Sequence, residues 1–121
     1  MSKSDEIEFI KHIFVEINYI QNIVEKLDED DFYNDETLKR AITRALEIIG
    51  EATKNLTQEF RLKYNTVPWS YMAKLRDKII HHYQGVDYET IWNIISQEIP
   101  ELHFQIEQII IEHNNNNNIN S

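Results

Sequence analysis

The chain has 121 residues and a formal net charge of −9, and this length fits one domain with its own hydrophobic core. It contains no cysteine, which excludes disulfide bonds and thiolate chemistry and fits a reducing compartment. No apolar run is long enough for a membrane-spanning helix or a signal-peptide core, so we expect a cytoplasmic protein. With only two glycines and two prolines, the chain is expected to be mostly helical.

The first predicted helix begins after Ser4 and continues to about residue 27, with apolar residues at helical spacing. An acidic loop at residues 28–31 ends it. Phe32 and Tyr33 follow this loop, and we expect both rings to pack onto the core.

Asp35 is a suitable N-cap for the second predicted helix, whose apolar stripe continues to Leu56. Gly50 lies inside this helix, where glycine costs about 1 kcal/mol relative to alanine, so we expect another helix to approach closely there. A polar face of the same helix carries Arg40, Arg44, Glu47 and Glu51. This face has two interpretations, surface ion pairs or support for a functional site.

Thr57 can cap a short helical turn through Tyr64. Pro68 suits the first turn of the next helix, because its missing N–H is not needed there. Trp69 is interpreted as a core anchor rather than as a platform for stacking a nucleobase.

A single helix is predicted from Tyr71 to Gly85, with Gly85 as its C-cap. Its polar residues are Arg76, Asp77, His81, His82 and Tyr83. On one helix, Asp77 could hold an imidazole nitrogen of His81 four residues on. Arg76 and His81 would be roughly 140° apart on that helix, so they converge on one phosphate only if the helix loosens or a second chain contributes. We therefore expect a composite site at a twofold interface.

Asp87 can cap a following helix, and Pro100 predicts a break before the last helical segment, which continues to about His113. Residues 114–121 are asparagine-rich and polar, a composition typical of a disordered tail.

Charge is distributed unevenly along the chain. Residues 54–83 carry six basic and two acidic side chains, a net +4, whereas residues 1–36 carry three basic and eleven acidic ones, a net −8. This segregation can guide a polyanion to one cleft. An ordinary solvated basic helix face would have the same composition.

Two chemistries are possible for the polar residues of this segment. Asp77 and His81 could be two metal ligands, but no third ligand and no known metal motif is visible, so a metal site is not predicted. Metal-free RNA cleavage fits better, because an imidazole can take the proton of a ribose 2′-hydroxyl while a guanidinium stabilises the charged phosphate. Only RNA has that internal nucleophile.

The spacing of Arg76, His81 and Tyr83 forms the pattern R-x4-H-x-Y, which resembles the signature of the HepT-like branch of the HEPN superfamily. Further blocks similar to that family occur in its order: Arg44–Ala52, Pro68–Trp69, Tyr83–Asp87 and Ile99–Leu102. The resemblance implies an all-α, HEPN-type four-helix bundle with an additional short or kinked helix, formed by residues 1–113.

The resemblance also implies a function. HepT-like proteins are dimeric ribonuclease toxins of toxin–antitoxin systems of the type VII kind, with tRNA as a candidate substrate. It implies catalytic roles for Arg76 and His81 in the absence of any cofactor. It further implies AMP transfer to Tyr83 by a minimal nucleotidyltransferase antitoxin. Positions expected to support the site are Asp77, His82, Arg44 and Glu51, and His82 could replace His81 as the base. The rival interpretation is a non-catalytic HEPN module that docks a nucleotidyltransferase or a nucleotide.

Overall fold

The computed structural model describes residues 3–120, with side chains described for residues 6–118, and the fold is all-α, as predicted. The helices are α1 Lys3–Val24, α2 Glu29–Asn34, α3 Glu36–Lys54, α4 Gln58–Lys63, α5 Trp69–Ala73, α6 Leu75–Ile79, α7 Tyr88–Asn93 and α8 Ile99–Asn120, with a π-helical turn Ile94–Glu98 between the last two. Two short strands, β1 Ile80–His81 and β2 Gly85–Val86, pair antiparallel between α6 and α7.

The core lies where α1 packs against both α3 and α8. Each helix contributes isoleucine or leucine side chains at helical spacing, and Ile17, Leu46 and Ile106 are fully buried. A fully buried side chain of this size contributes about 1.5–3 kcal/mol relative to an exposed one. The large isoleucine content of the three stripes therefore holds α1, α3 and α8 together.

Side-chain caps set the starts of α2, α3 and α4. Asp35 accepts a hydrogen bond from the Leu38 N–H at 2.9 Å, and Thr57 accepts one from the Phe60 N–H at 3.1 Å, which confirms both predicted caps. The acidic residues expected to form a loop instead begin α2, where Asp28 accepts a hydrogen bond from the Asp31 N–H at 2.8 Å. Acidic side chains suit this position because the N-terminus of a helix carries partial positive charge.

Two aromatic predictions are confirmed. Phe32 is fully buried, and its ring contacts those of Tyr33, Tyr88 and Trp92. Trp69 is 4% exposed, and its indole N–H donates to the Tyr64 carbonyl at 3.0 Å. Trp69 is thus a core anchor, with its one polar group satisfied.

Gly50 lies where α3 closely approaches α5, as expected. A Cβ at this position would lie 3.3 Å from the Met72 carbonyl oxygen and 3.7 Å from that of Ala73. The absence of a side chain therefore allows the backbone that leads into α6 to lie directly against α3.

The prediction of one helix from Tyr71 to Gly85 is wrong. The helix breaks at Lys74, α6 ends at Ile79, and the chain then forms a hairpin in which Ile80 pairs with Val86. The Asp87 N–H donates to the Ile79 carbonyl at 2.7 Å, so a hydrogen bond from beyond the hairpin replaces the next helical one. Gly85 is not a helix cap but a strand residue with a φ of +77°, a conformation that glycine adopts without strain.

The predicted break at Pro100 is also wrong, because the helix continues through this residue. The Ile99 N–H bonds to the Ile94 carbonyl five residues earlier, which is the wider π-helical pattern. This turn lies directly before Pro100, so the widened backbone accommodates a residue that lacks an N–H.

The asparagine-rich segment has a helical backbone up to Asn120. The disorder expected of residues 114–121 from their composition stays a prediction, and residue 121 lies outside the described residues. A side-chain hydrogen bond of 3.1 Å joins Asn117 to His113 one turn earlier. Local contacts of this kind allow polar residues to extend an existing helix at small cost.

Candidate functional site

The polar residues of the motif lie on α6 and on the hairpin that follows it. Arg76 is on α6, His81 is in β1, and His82 and Tyr83 form the turn between the strands. Because α6 ends at Ile79, the angular separation predicted for Arg76 and His81 on one helix does not apply. Two conditions for the convergence of Arg76 and His81 on one phosphate were expected from the sequence, a loosened helix or a second chain. The first of these conditions is met within a single chain, because the helix ends before His81.

Arg76 extends from α6 toward α3. Its Nε lies 3.6 Å from Oε2 of Glu47, and 55% of its side chain is exposed. Gly50, one turn further along α3, allows the close packing that brings these two helices together. The guanidinium is therefore held on one side and open to solvent on the other, as a phosphate-binding group must be.

His81 is paired with Asp87 and not with Asp77. Its Nε2 lies 3.2 Å from Oδ2 of Asp87, across the hairpin. The predicted contact with Asp77 is wrong, because it required α6 to continue through His81. Asp77 is exposed, and its carboxylate makes no hydrogen bond or ion pair within the part of the chain that the structure describes.

Asp87 has two structural roles. Its Oδ1 accepts the Thr90 N–H at 3.0 Å and caps α7, as predicted, while its Oδ2 accepts the Thr90 hydroxyl at 2.7 Å. The backbone hydrogen bond from Thr90, its hydroxyl bond and then the bond to His81 lower the pKa of Asp87 below its usual value. The carboxylate is therefore ionised at every pH at which an imidazole titrates.

Tyr83 is at the tip of the hairpin, and 94% of it is exposed. The ring of His82 meets it edge to face, with centroids 4.7 Å apart. Neither ring packs into the core, so the hydroxyl of Tyr83 is accessible to a second protein.

The two supporting residues expected on α3, Arg44 and Glu51, are exposed. Within residues 6–118, neither side chain makes a hydrogen bond or ion pair to α6 or to the hairpin. Glu47, which lies between them, is the α3 residue that reaches Arg76. Its place on the polar face of α3 was visible in the sequence, but its partner on another helix was not.

Only some of the basic side chains in residues 54–83 make contacts within the protein. Arg61 donates to the Thr53 carbonyl at 2.9 Å, and the ammonium of Lys78 lies 4.7 Å from the ring centroid of Tyr71. Lys54 and Lys74 are exposed and make no ion pair among the described side chains. Part of the positive charge of this segment therefore remains exposed and unpaired within the described side chains.

Two features are absent from residues 3–120. No group of three or more histidine or acidic side chains is placed to hold a metal ion. None of the helices in this range is both long and apolar enough to cross a membrane.

The fold and the site define a small helical-bundle protein with an arginine, a carboxylate-bound histidine and an exposed tyrosine next to one another in the chain. Residues 13–109 match the model of the family described as Ribonuclease HepT-like. The chain belongs to this family, which confirms the resemblance seen in the sequence.

Three relatives illustrate the similarity. An inferred RNase of Caldanaerobacter subterraneus subsp. tengcongensis is 47% identical over 102 residues, which cover 84% of this chain and 91% of the relative. An inferred RNase of Methanocaldococcus jannaschii is 43% identical over 110 residues, covering 91% of both chains. A protein of Thermococcus cleftensis named as an inferred ribonuclease HepT is 36% identical over 102 residues, covering 84% of this chain and 93% of its own. No solved structure gives a significant match.

Proposed function

We propose that this protein is a metal-independent endoribonuclease whose catalytic residues are Arg76 and His81. The observation that carries the proposal is the contact of His81 with the ionised Asp87 on a hairpin that directly follows the helix of Arg76. Family membership supports the same reaction, because the relatives are named as RNases.

In the proposed reaction, His81 takes the proton from a ribose 2′-hydroxyl, and the 2′-oxygen attacks the adjacent phosphorus. The bond from phosphorus to the 5′-oxygen breaks, the departing oxygen takes up a proton from water, and His81 later releases its proton to water. Arg76 stabilises the negative charge that accumulates on the non-bridging oxygens. The products are a 2′,3′-cyclic phosphate and a 5′-hydroxyl, and tRNA is the first substrate to test.

The test compares cleavage of an RNA by the parent protein and by Arg76→Ala, His81→Ala and His82→Ala, each in the presence of a chelator. We expect the first two variants to lose cleavage while remaining folded, and His82→Ala to retain it. Cleavage by a folded His81→Ala variant together with loss in His82→Ala would assign the base to His82 instead. Loss of parent activity on chelation would contradict metal independence.

The alternative is a non-catalytic module that docks a nucleotidyltransferase or a nucleotide. The exposed Tyr83 is compatible with it, since docking needs only an accessible surface. The two proposals differ in one result, because a docking module would leave a 2′-hydroxyl-containing RNA intact at any protein concentration.

The regulatory part of the proposal is a toxin–antitoxin pair in which a minimal nucleotidyltransferase transfers AMP to Tyr83. The hydroxyl would attack the α-phosphorus of ATP, release pyrophosphate and lose its proton. The adduct adds about one negative charge, as phosphorylation does, two residues from His81. It would repel RNA phosphate and cover the hairpin without changing the fold.

Tyr83→Phe tests this regulation, because it removes the acceptor and little else from an exposed site. We expect intact-mass measurement with the partner, ATP and magnesium to give an AMP-sized increase in the parent protein and none in the variant. An increase that persists in Tyr83→Phe would place the acceptor elsewhere. No increase in the parent protein would favour inhibition by docking.

A further inference from the structure

We infer that Asp87 is a positioning residue that, together with Thr90, holds His81 in the tautomer with its proton on Nε2. The reactive nitrogen of His81 is then Nδ1. The geometric part of this inference stands on the hairpin itself, whereas its catalytic consequence rests on the proposed ribonuclease function.

Both oxygens of the Asp87 carboxylate are engaged. Oδ1 accepts the Thr90 N–H, and Oδ2 accepts both the Thr90 hydroxyl at 2.7 Å and the His81 Nε2 at 3.2 Å. The Asp87 N–H is held by the Ile79 carbonyl at 2.7 Å. The carboxylate therefore cannot rotate away from His81 without uncapping α7.

The charge of Asp87 decides the direction of its hydrogen bond to His81. An ionised carboxylate only accepts hydrogen bonds, so the neutral imidazole must donate through Nε2, and its lone pair is on Nδ1. Within the described part of the chain no other residue hydrogen-bonds to His81, and Nδ1 is thus left for a substrate proton. After proton uptake, the same carboxylate stabilises the imidazolium, as the aspartate does in serine protease triads.

The Asp87→Asn substitution keeps the cap of α7 but changes the group that faces His81, so it tests the effect on the tautomer separately from the effect on the cap. Asparagine caps helices as well as aspartate does, and its Oδ1 must still accept the Thr90 N–H. The amide nitrogen then occupies the position of Oδ2 and donates to His81 Nε2, which forces the imidazole proton onto Nδ1. The matched control is Asp35→Asn, which changes an aspartate cap that contacts no histidine.

The first measurement is the tautomer of His81 by long-range ¹⁵N–¹H NMR in the full-length protein. We expect the Nε2–H form in the parent protein and in Asp35→Asn, and the Nδ1–H form in Asp87→Asn. An unchanged tautomer in a folded Asp87→Asn protein, or an Nδ1–H form in the parent, would overturn the inference.

The second measurement is kinetic. We expect Asp87→Asn to lower kcat by about 10²–10⁴-fold with little change in KM, because the base nitrogen is blocked while phosphate binding is preserved. Thr90→Val, which keeps the carboxylate but removes one hydroxyl donor, should cause a smaller loss. Unchanged kcat in Asp87→Asn would overturn the inference if His81→Ala is inactive. Cleavage by His81→Ala would instead contradict the proposed function, and the NMR result would still decide whether Asp87 sets the tautomer.

Discussion

Arg76 is recognisable from the sequence motif, whereas the residue that it contacts in the fold is not. The spacing of Arg76, His81 and Tyr83 identified the guanidinium, but Glu47 is on α3, 29 positions earlier in the chain. The Glu47 side chain is 23% exposed, and its Oε2 lies 3.6 Å from the guanidinium Nε. In the proposed function, it would compete with RNA phosphate for the same cation.

Replacement of Glu47 by Gln should therefore strengthen RNA binding more than it weakens the fold. A half-exposed ion pair contributes at most about 1 kcal/mol, so the free energy of unfolding should change by less than that. Removal of the competing carboxylate should lower KM for RNA by about threefold or more, equivalent to roughly 0.7 kcal/mol, and leave kcat unchanged or lower. Cleavage kinetics at several RNA concentrations and denaturant unfolding measure the two effects.

Glu8→Gln is the matched control for this experiment, because Glu8 forms an exposed ion pair with Lys11 at 3.5 Å on α1. It should leave KM unchanged. Equal effects of the two substitutions on KM would show that general charge, rather than competition for Arg76, is responsible.

At the scale of elements, the hairpin β1–β2 decides where the histidine lies. It is closed by the pairing of Ile80 with Val86 and of His81 with Gly85. Gly85 is the residue with positive φ in the described chain, and a Cβ at this position would meet no atom within 4 Å. Any cost of substitution is therefore conformational and not steric.

Gly85→Ala should destabilise the hairpin by about 1–2 kcal/mol, the penalty of a left-handed conformation for an alanine. Relaxation of that strain would move His81 away from Asp87, so we expect a lower kcat with the helical content preserved. Thermal unfolding, circular dichroism and cleavage rates measure these effects. Gly85→Asn is the control, because asparagine tolerates positive φ better, and it should retain more activity. Equal losses in both variants would contradict a conformational cause.

At the scale of the whole molecule, charge and exposure distinguish one segment of the chain. The segment with a net charge of +4 contains α6 and the first half of the hairpin, between strongly acidic termini. Tyr83, the last residue of this segment, is 94% exposed. A polyanion would be attracted there and repelled elsewhere.

We predict a twofold dimer with residues 71–85 close to the axis, as the family resemblance implies. Two copies would double the positive charge of one cleft, which suits a substrate with several phosphates. Sedimentation velocity at micromolar concentration should give the dimer mass for the parent protein and for Tyr83→Phe. A monomer with undiminished cleavage activity would contradict this prediction. In that case the end of α6 before His81 would be enough, without a second chain, to bring Arg76 and His81 to one phosphate.

Local sequence determined the features that depend on neighbouring residues. Asp35, Thr57 and Asp87 were recognisable as caps because a cap bonds a backbone N–H two or three residues away. The apolar spacing in α1 and α3 determined their buried faces, and Gly50 indicated the close helix contact. The pattern of Arg76, His81 and Tyr83 identified the family.

The tertiary structure alone decided which groups meet at the site. A continuous helix through His81 satisfied every local rule, but a hydrogen bond from Asp87 to the Ile79 carbonyl and the strand pairing ended it. His81 therefore contacts Asp87 instead of Asp77, and Arg76 contacts Glu47. The physical reason is that helix ends and side-chain pairs between elements depend on hydrogen bonds and packing with residues distant in the chain, which periodicity does not encode.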